Sequence, residues 1–162
     1  MGFNDGKSHD KIHKVIRVTS YPYTITPDQS GFTFLSEAPG GGGTVDFKFI
    51  LPADTTEVGF HCTIIRSTNH AIPIGGRKFT ISTAADGQLM LGAIATVGSA
   101  AKQDVFLPNG SSHDNILMDA AAEGGGPGMW FECILVGVDK WLIHGHSCVA
   151  GSGTPTSPWS NG

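Results

Sequence analysis

Hydrophobic residues in this chain return at every second position far more often than at every third or fourth. In TVDFKFILP, Val45, Phe47, Phe49 and Leu51 alternate with Asp46, Lys48 and Ile50, which is the period of a strand with one face turned to a core. Val58, Phe60, Cys62 and Ile64 alternate in the same way with Gly59, His61 and Thr63, predicting a second strand over 57–66. KFTIST (78–83) and QLMLGAIAT (88–96) give a third and a fourth, with Asp86-Gly87 between them as a hairpin signal. The segment MWFECILVGVDKWLIHGHSCV (129–149) reads as two long strands folded at Val138-Asp139-Lys140, with Trp130 and Trp141 on core strands.

The remaining pattern is weaker but of the same kind. Ile12, Val15, Ile16 and Val18 lead into Tyr21, Tyr23 and Ile25, where Pro22 and Pro27 suit strand ends or edges. A turn signal, PDQSG, precedes the alternating Phe32 and Phe34, and PGGGG (39–43) follows. VFLP and NILM predict two short strands around the turn Asn109-Gly110, and only NILMDAAAE (115–123) has the makings of a short helix. About nine to eleven strands with turn signals between them predict an all-β fold, a β-sandwich or jelly-roll-like domain, with a compact barrel as the other closed solution. Residues 1–11 lack a hydrophobic period and read as a flexible N-terminal arm; 12–150 form one β domain; 151–162, rich in Gly, Ser, Thr and Pro, read as an extended C-terminal tail. Phe3 and Trp159 in these arms, and Tyr21 near the start of the domain, are the aromatic candidates for anchoring a partner chain.

Composition narrows the function classes. The chain has 162 residues, enough for one sizeable core, and its 23 glycines and 15% charged residues favour strands and turns over helices. A net charge of -4 gives no electrostatic reason to bind nucleic acid, and the nearest basic cluster, Lys7, Lys11, Lys14 and Arg17, is broken by Asp5 and Asp10. Cys62, Cys133 and Cys148 are widely spaced and odd in number, which fits free thiols in a reducing compartment. Residues 1–14 are too polar for a signal peptide, and no apolar run approaches the roughly 18 residues of a membrane span, so a chain made in the cytosol without a membrane partner is expected.

One constellation in the chain has a spacing that suits chemistry. His144 and His146 in IHGHS form an HxH pair, which on a strand points both imidazoles to one face about 7 Å apart. Two ligands do not complete a site, so a metal is expected there only in a trimer, and Gly145 suggests that the segment bends. His61 is expected to face away from Phe60 and Cys62, and the cysteines to act as small hydrophobes. The chain has no GxSxG elbow, HExxH pair or phosphate-binding glycine loop opening a helix. No catalytic residue and no cofactor is predicted, and an enzyme is not expected.

The order of these features resembles a β-structured module of tailed-bacteriophage virion proteins. The likeness runs over residues 21–146: an opening strand YTITPDQSGFTFLSE, a glycine-rich turn, VDFKFILP ending in Leu-Pro, VGFHCTII led by a glycine, and a closing Trp-containing hairpin WFECILVGVDKWLIHG. Such modules occur in capsid decoration (cement) proteins and in tail fibre and spike proteins. The resemblance implies a structural protein of the virion that binds the outer capsid surface, bridges neighbouring subunits of the major capsid protein and forms a homo-oligomer, a trimer matching local three-fold positions. It implies as the alternative a tail fibre, spike or baseplate component engaged in host attachment. The short chain without repeats or heptads, and the two arms, suit decoration better than a fibre.

Overall fold

A computed structural model describes residues 14–37, 46–53, 58–67, 78–84, 87–98, 102–118, 126, 128–149 and 154–161. The fold is all-β: among the described residues, twelve strands form one seven-stranded and one five-stranded sheet, and a 3-10 turn at Pro27–Gln29 is the single helical element.

The first half of the chain winds as a flattened coil. β1 (Val15–Val18), β3 (Thr33–Ser36) and β5 (His61–Arg66) lie parallel and adjacent in the large sheet, while β2 (Tyr23–Thr24), β4 (Phe47–Ile50) and β6 (Phe79–Ser82) lie parallel and adjacent in the small one. Each strand is thus followed by one in the opposite layer. β7 (Leu89–Val97) and β8 (Gln103–Phe106) then form the far edge of the large sheet. β9 (Asn115–Met118) returns to the small sheet, and the hairpin β10 (Trp130–Gly137) and β11 (Lys140–Cys148) fills the space between β5 and β7. β12 (Trp159–Ser160) pairs with β9 at the small sheet's edge.

The sandwich expectation therefore holds, with mixed sheets in place of the antiparallel ladders of a jelly roll. Asp86-Gly87 misleads as a hairpin signal, because β6 and β7 belong to different sheets. The Asn115-to-Met118 segment is strand rather than helix; the rest of that candidate helix lies outside the described residues.

Register arranges the core in rows. Across the large sheet, Ile16, Phe34, Ile64, Phe131, Gly145, Ile94 and Phe106 are successive cross-strand partners. Phe34, Ile64, Phe131 and Ile94 are buried within this row. From the small sheet, the alternating Phe47, Phe49 and Leu51 supply the opposing layer, with Phe49 against both Phe34 and Phe79. Each such buried side chain contributes roughly 2–3 kcal/mol of hydrophobic stabilisation. Glycine makes two crossings possible: a Cβ at Gly92 would fall on the Ile143 carbonyl, and one at Gly145 would lie 2.7 Å from the Phe131 ring. Gly145 thus sits inside a continuous strand and marks close packing, not the bend expected from the sequence.

Candidate functional site

Alternation fixes which side chains leave the core. On β10, Phe131, Cys133 and Leu135 are buried, so Trp130, Glu132, Ile134 and Val136 face outward. On β11, Trp141, Ile143 and Ser147 are buried, and Leu142, His144, His146 and Cys148 face outward. The neighbouring strands add Thr63 and Ile65 from β5, and Leu91, Ala93 and Ala95 from β7. The outer face of the large sheet is therefore largely apolar, with a polar group at its centre.

Much of the apolar exposure among the described residues lies on this sheet or in its connections. Val15, Val58, Val105, Leu107, Trp130, Val136 and Val138 are the exposed large hydrophobic residues among those described. Val15, Val105, Trp130 and Val136 lie on strands of the large sheet, and Val58, Leu107 and Val138 lie in the connections that enter or leave β5, β8 and β10. The small sheet presents Thr24 and Lys48 exposed and Ile50, Thr80, Leu117 and Ser160 half-buried. Soluble surfaces scatter their apolar residues; concentration on one sheet is the mark of a contact surface.

The polar centre is built by the β10–β11 register, which sets Glu132 opposite His144 and Trp130 opposite His146. The His144 Nε2 atom lies 3.0 Å from Glu132 Oε2. The Trp130 ring meets the His144 imidazole edge to face at 5.8 Å. His146 Nδ1 is 3.8 Å from the Cys148 thiol, whose pKa burial pushes up. The HxH pair does share one face, as its spacing predicts, but His144 is engaged by a carboxylate. Among the described residues no group of three or more His, Cys, Asp or Glu side chains is placed to hold a metal ion.

Cys62 and Cys133 face each other across β5 and β10 inside the core. A hydrogen bond with Cys62, reinforced by burial, holds the Cys133 thiol well above its ordinary range. A protonated, buried thiol is a poor nucleophile. His61 faces outward as expected, beside Gly59 and Gly31.

Two of the three predicted anchors are committed to this domain itself. Tyr21 is half-buried, packs edge-on against Phe47 and Phe49, and its hydroxyl donates to the Val18 carbonyl while contacting Ser36 Oγ. Desolvation raises its pKa, partly offset by the Ser36 hydrogen bond. Trp159 is only 6% exposed. Its indole N–H donates to the Phe106 carbonyl at 3.0 Å, and its ring stacks on His113 at an interplanar angle of 3°. The expected extended tail is, over 154–161, a segment that closes the core through β12. Phe3 and the N-terminal arm lie outside the described residues.

Trp130 lies on a core strand as expected, but its side chain turns outward. Both phases of WFECILV are apolar, so alternation alone does not tell core from surface. Glu132 was the available signal: a carboxylate in phase with Trp130 puts that tryptophan on the solvent side, where it is 39% exposed. Comparison of the chain with protein-family models, with curated proteins and with solved structures returned no match in any of the three. No helix among the described residues is long and apolar enough to cross a membrane.

Proposed function

We propose that this chain is a bacteriophage structural protein that decorates the capsid, binding its outer surface and bridging neighbouring coat subunits without catalysing a reaction. The observation that supports this reading most is the confinement of exposed apolar residues to the large sheet and its connections. A broad sheet face backed by a packed second layer suits a large, complementary protein contact better than a small-molecule site, which is concave. Binding several coat chains at once raises effective concentration and so resists their separation. The resemblance over residues 21–146 supplies the class of partner.

A tail fibre, spike or baseplate role is the second reading. In its favour is the placement of His144 and His146 on one face of β11, where copies related by a symmetry axis bring imidazoles together. Co-sedimentation with capsids of the source phage lacking this protein separates the two. Saturable binding, with a higher disruption temperature for decorated particles, is expected; absence of binding to intact capsids overturns decoration and leaves the tail reading.

A further inference from the structure

Two thiols with no part in the candidate site meet inside the core. Cys62 on β5 and Cys133 on β10 are cross-strand partners, and both point to the buried side of the large sheet. The Leu135 N–H donates to the Phe60 carbonyl and the Arg66 N–H to the Met129 carbonyl, so the odd-numbered residues of β10 stand in hydrogen-bonded pairs with β5. In an antiparallel ladder such a pair has its Cα atoms about 5.5 Å apart. A disulfide spans Cα separations of about 4.4–6.8 Å. The Cβ atoms, about 5.5 Å apart in a pair of this kind, have to close by about 1 Å. A bulge two residues away, where Gly59 and Phe60 both bond Leu135, gives the strands local twist for that approach. The two side chains already share a hydrogen bond.

We propose that Cys62 and Cys133 form an intrachain disulfide when the protein meets an oxidant, tying β5 to β10 from the inner side of the large sheet. The oxidant is a low-molecular-weight disulfide. One of the two cysteines, as thiolate, attacks a sulfur of that disulfide, forms a mixed disulfide and expels one small thiolate. The other cysteine, as thiolate, attacks the protein sulfur of the mixed disulfide, closing the bond between Cys62 and Cys133 and expelling the second small thiolate. The protons of the two cysteines end on the two small thiols. The protein thus loses two protons and two electrons, and the small disulfide gains them.

Burial sets how the step proceeds. Both cysteines are 1% exposed or less, and the protonated Cys133 thiol is a poor nucleophile. Exchange therefore waits for β10 to open from β5, and the closed chain stays reduced where small thiols are in excess. Position sets which pair forms. Cys148 is half-buried and lies on the outer side of β11, away from both core thiols. In an unfolded chain Cys133 closes on Cys148, about 15 residues away, more readily than on Cys62, about 70 residues away. Native pairing reverses that order. The link joins the N-terminal coil to the C-terminal hairpin across a loop of roughly 70 residues, and a longer loop removes more entropy from the unfolded chain. It also braces, from the core side, the strand that turns Trp130 and Glu132 outward.

Oxidised glutathione added to the full chain, in urea below the unfolding midpoint, tests this by intact mass and peptide mapping. A link between Cys62 and Cys133 is expected as the main product, with Cys148 free or carrying glutathione. The linked chain is expected to unfold at a urea midpoint about 1–2 M above the reduced one. Cys148→Ser leaves the core pair intact and gives the same link and the same shift. The chain oxidised after complete unfolding is the reference, and there the link between Cys133 and Cys148 leads. Predominance of a link to Cys148 below the midpoint, glutathione on Cys148 with Cys62 and Cys133 still reduced, or a linked chain no more stable than the reduced one overturns the inference. No capsid enters the experiment, so its outcome and that of the decoration reading are independent.

Discussion

Gly145→Ala is the sharpest probe of how the hairpin sits in the sandwich. The residue lies between His144 and His146, where sequence alone suggests a bend that would tolerate a methyl group. In the structure it is in register with Phe131 on one side and Ile94 on the other. A Cβ there would fall on the Trp130 carbonyl, 2.7 Å from Phe131 Cδ1 and 3.1 Å from Phe131 Cα. Two of these neighbours are backbone, so relief requires β10 to move away from β11 or the Phe131 ring to leave its place in the row. Overpacking of a well-filled core costs about 1–3 kcal/mol, and a backbone clash puts this site at about 3. With a urea m-value of about 2 kcal/mol/M, the unfolding midpoint falls by roughly 1.5 M. Gly137 on the same hairpin is the control: an added Cβ meets nothing within 4 Å, so Gly137→Ala stays within about 0.5 kcal/mol of wild type or gains slightly from the stiffer unfolded chain. Equal midpoints for the two variants would refute the packing assigned to β10 and β11.

Two further perturbations test other parts of the structure. Trp159→Ala deletes the ring that caps the core between His113 and Phe106, and a loss of about 3–5 kcal/mol in urea unfolding is expected; a loss under about 1 kcal/mol would mean that the C-terminal segment is a loose arm after all. Alkaline pH should destabilise the fold, because Cys133, Cys148 and Tyr21 all have raised pKa values from ordinary values of 9.0, 9.0 and 10.0. Below the ordinary values these groups are protonated in both states and stability is at its plateau. Above them the unfolded chain releases protons that the folded chain keeps, so stability falls as pH rises toward the folded values. Unfolding midpoints measured from about pH 8 to about pH 10.5 should decline, and a flat series would contradict the burial assigned to these groups.

Strand identity was readable wherever one parity was apolar and the other polar. Phe47, Phe49 and Leu51 against Lys48 leave one solution, as do Cys62 and Ile64 against His61 and Thr63. Topology was not readable, because the same alternation serves a hairpin and a coil. Asp86-Gly87 has the chemistry of a tight turn, but the strands it separates lie in opposite layers. The candidate face depends on parity in WFECILV, where hydrophobicity is equal on both sides and a single carboxylate decides. Trp159 was misread for a related reason: a Gly/Ser/Thr/Pro-rich flank signals extended chain, and extended chain is also what an edge strand requires. The HxH pair was placed correctly on one face, since that follows from strand geometry alone; its engagement by Glu132 needed the β10–β11 register.

Contact with other chains is proposed to run through the outer face of the large sheet. Hydroxyl-radical footprinting of the protein free at low concentration and bound on capsids tests it residue by residue. Protection of Trp130, Leu142 and Val136 on assembly, with Lys48, Thr24 and Leu117 on the small sheet unchanged, is the predicted result. Protection confined to the small sheet, with Trp130 oxidised equally in both states, would contradict it.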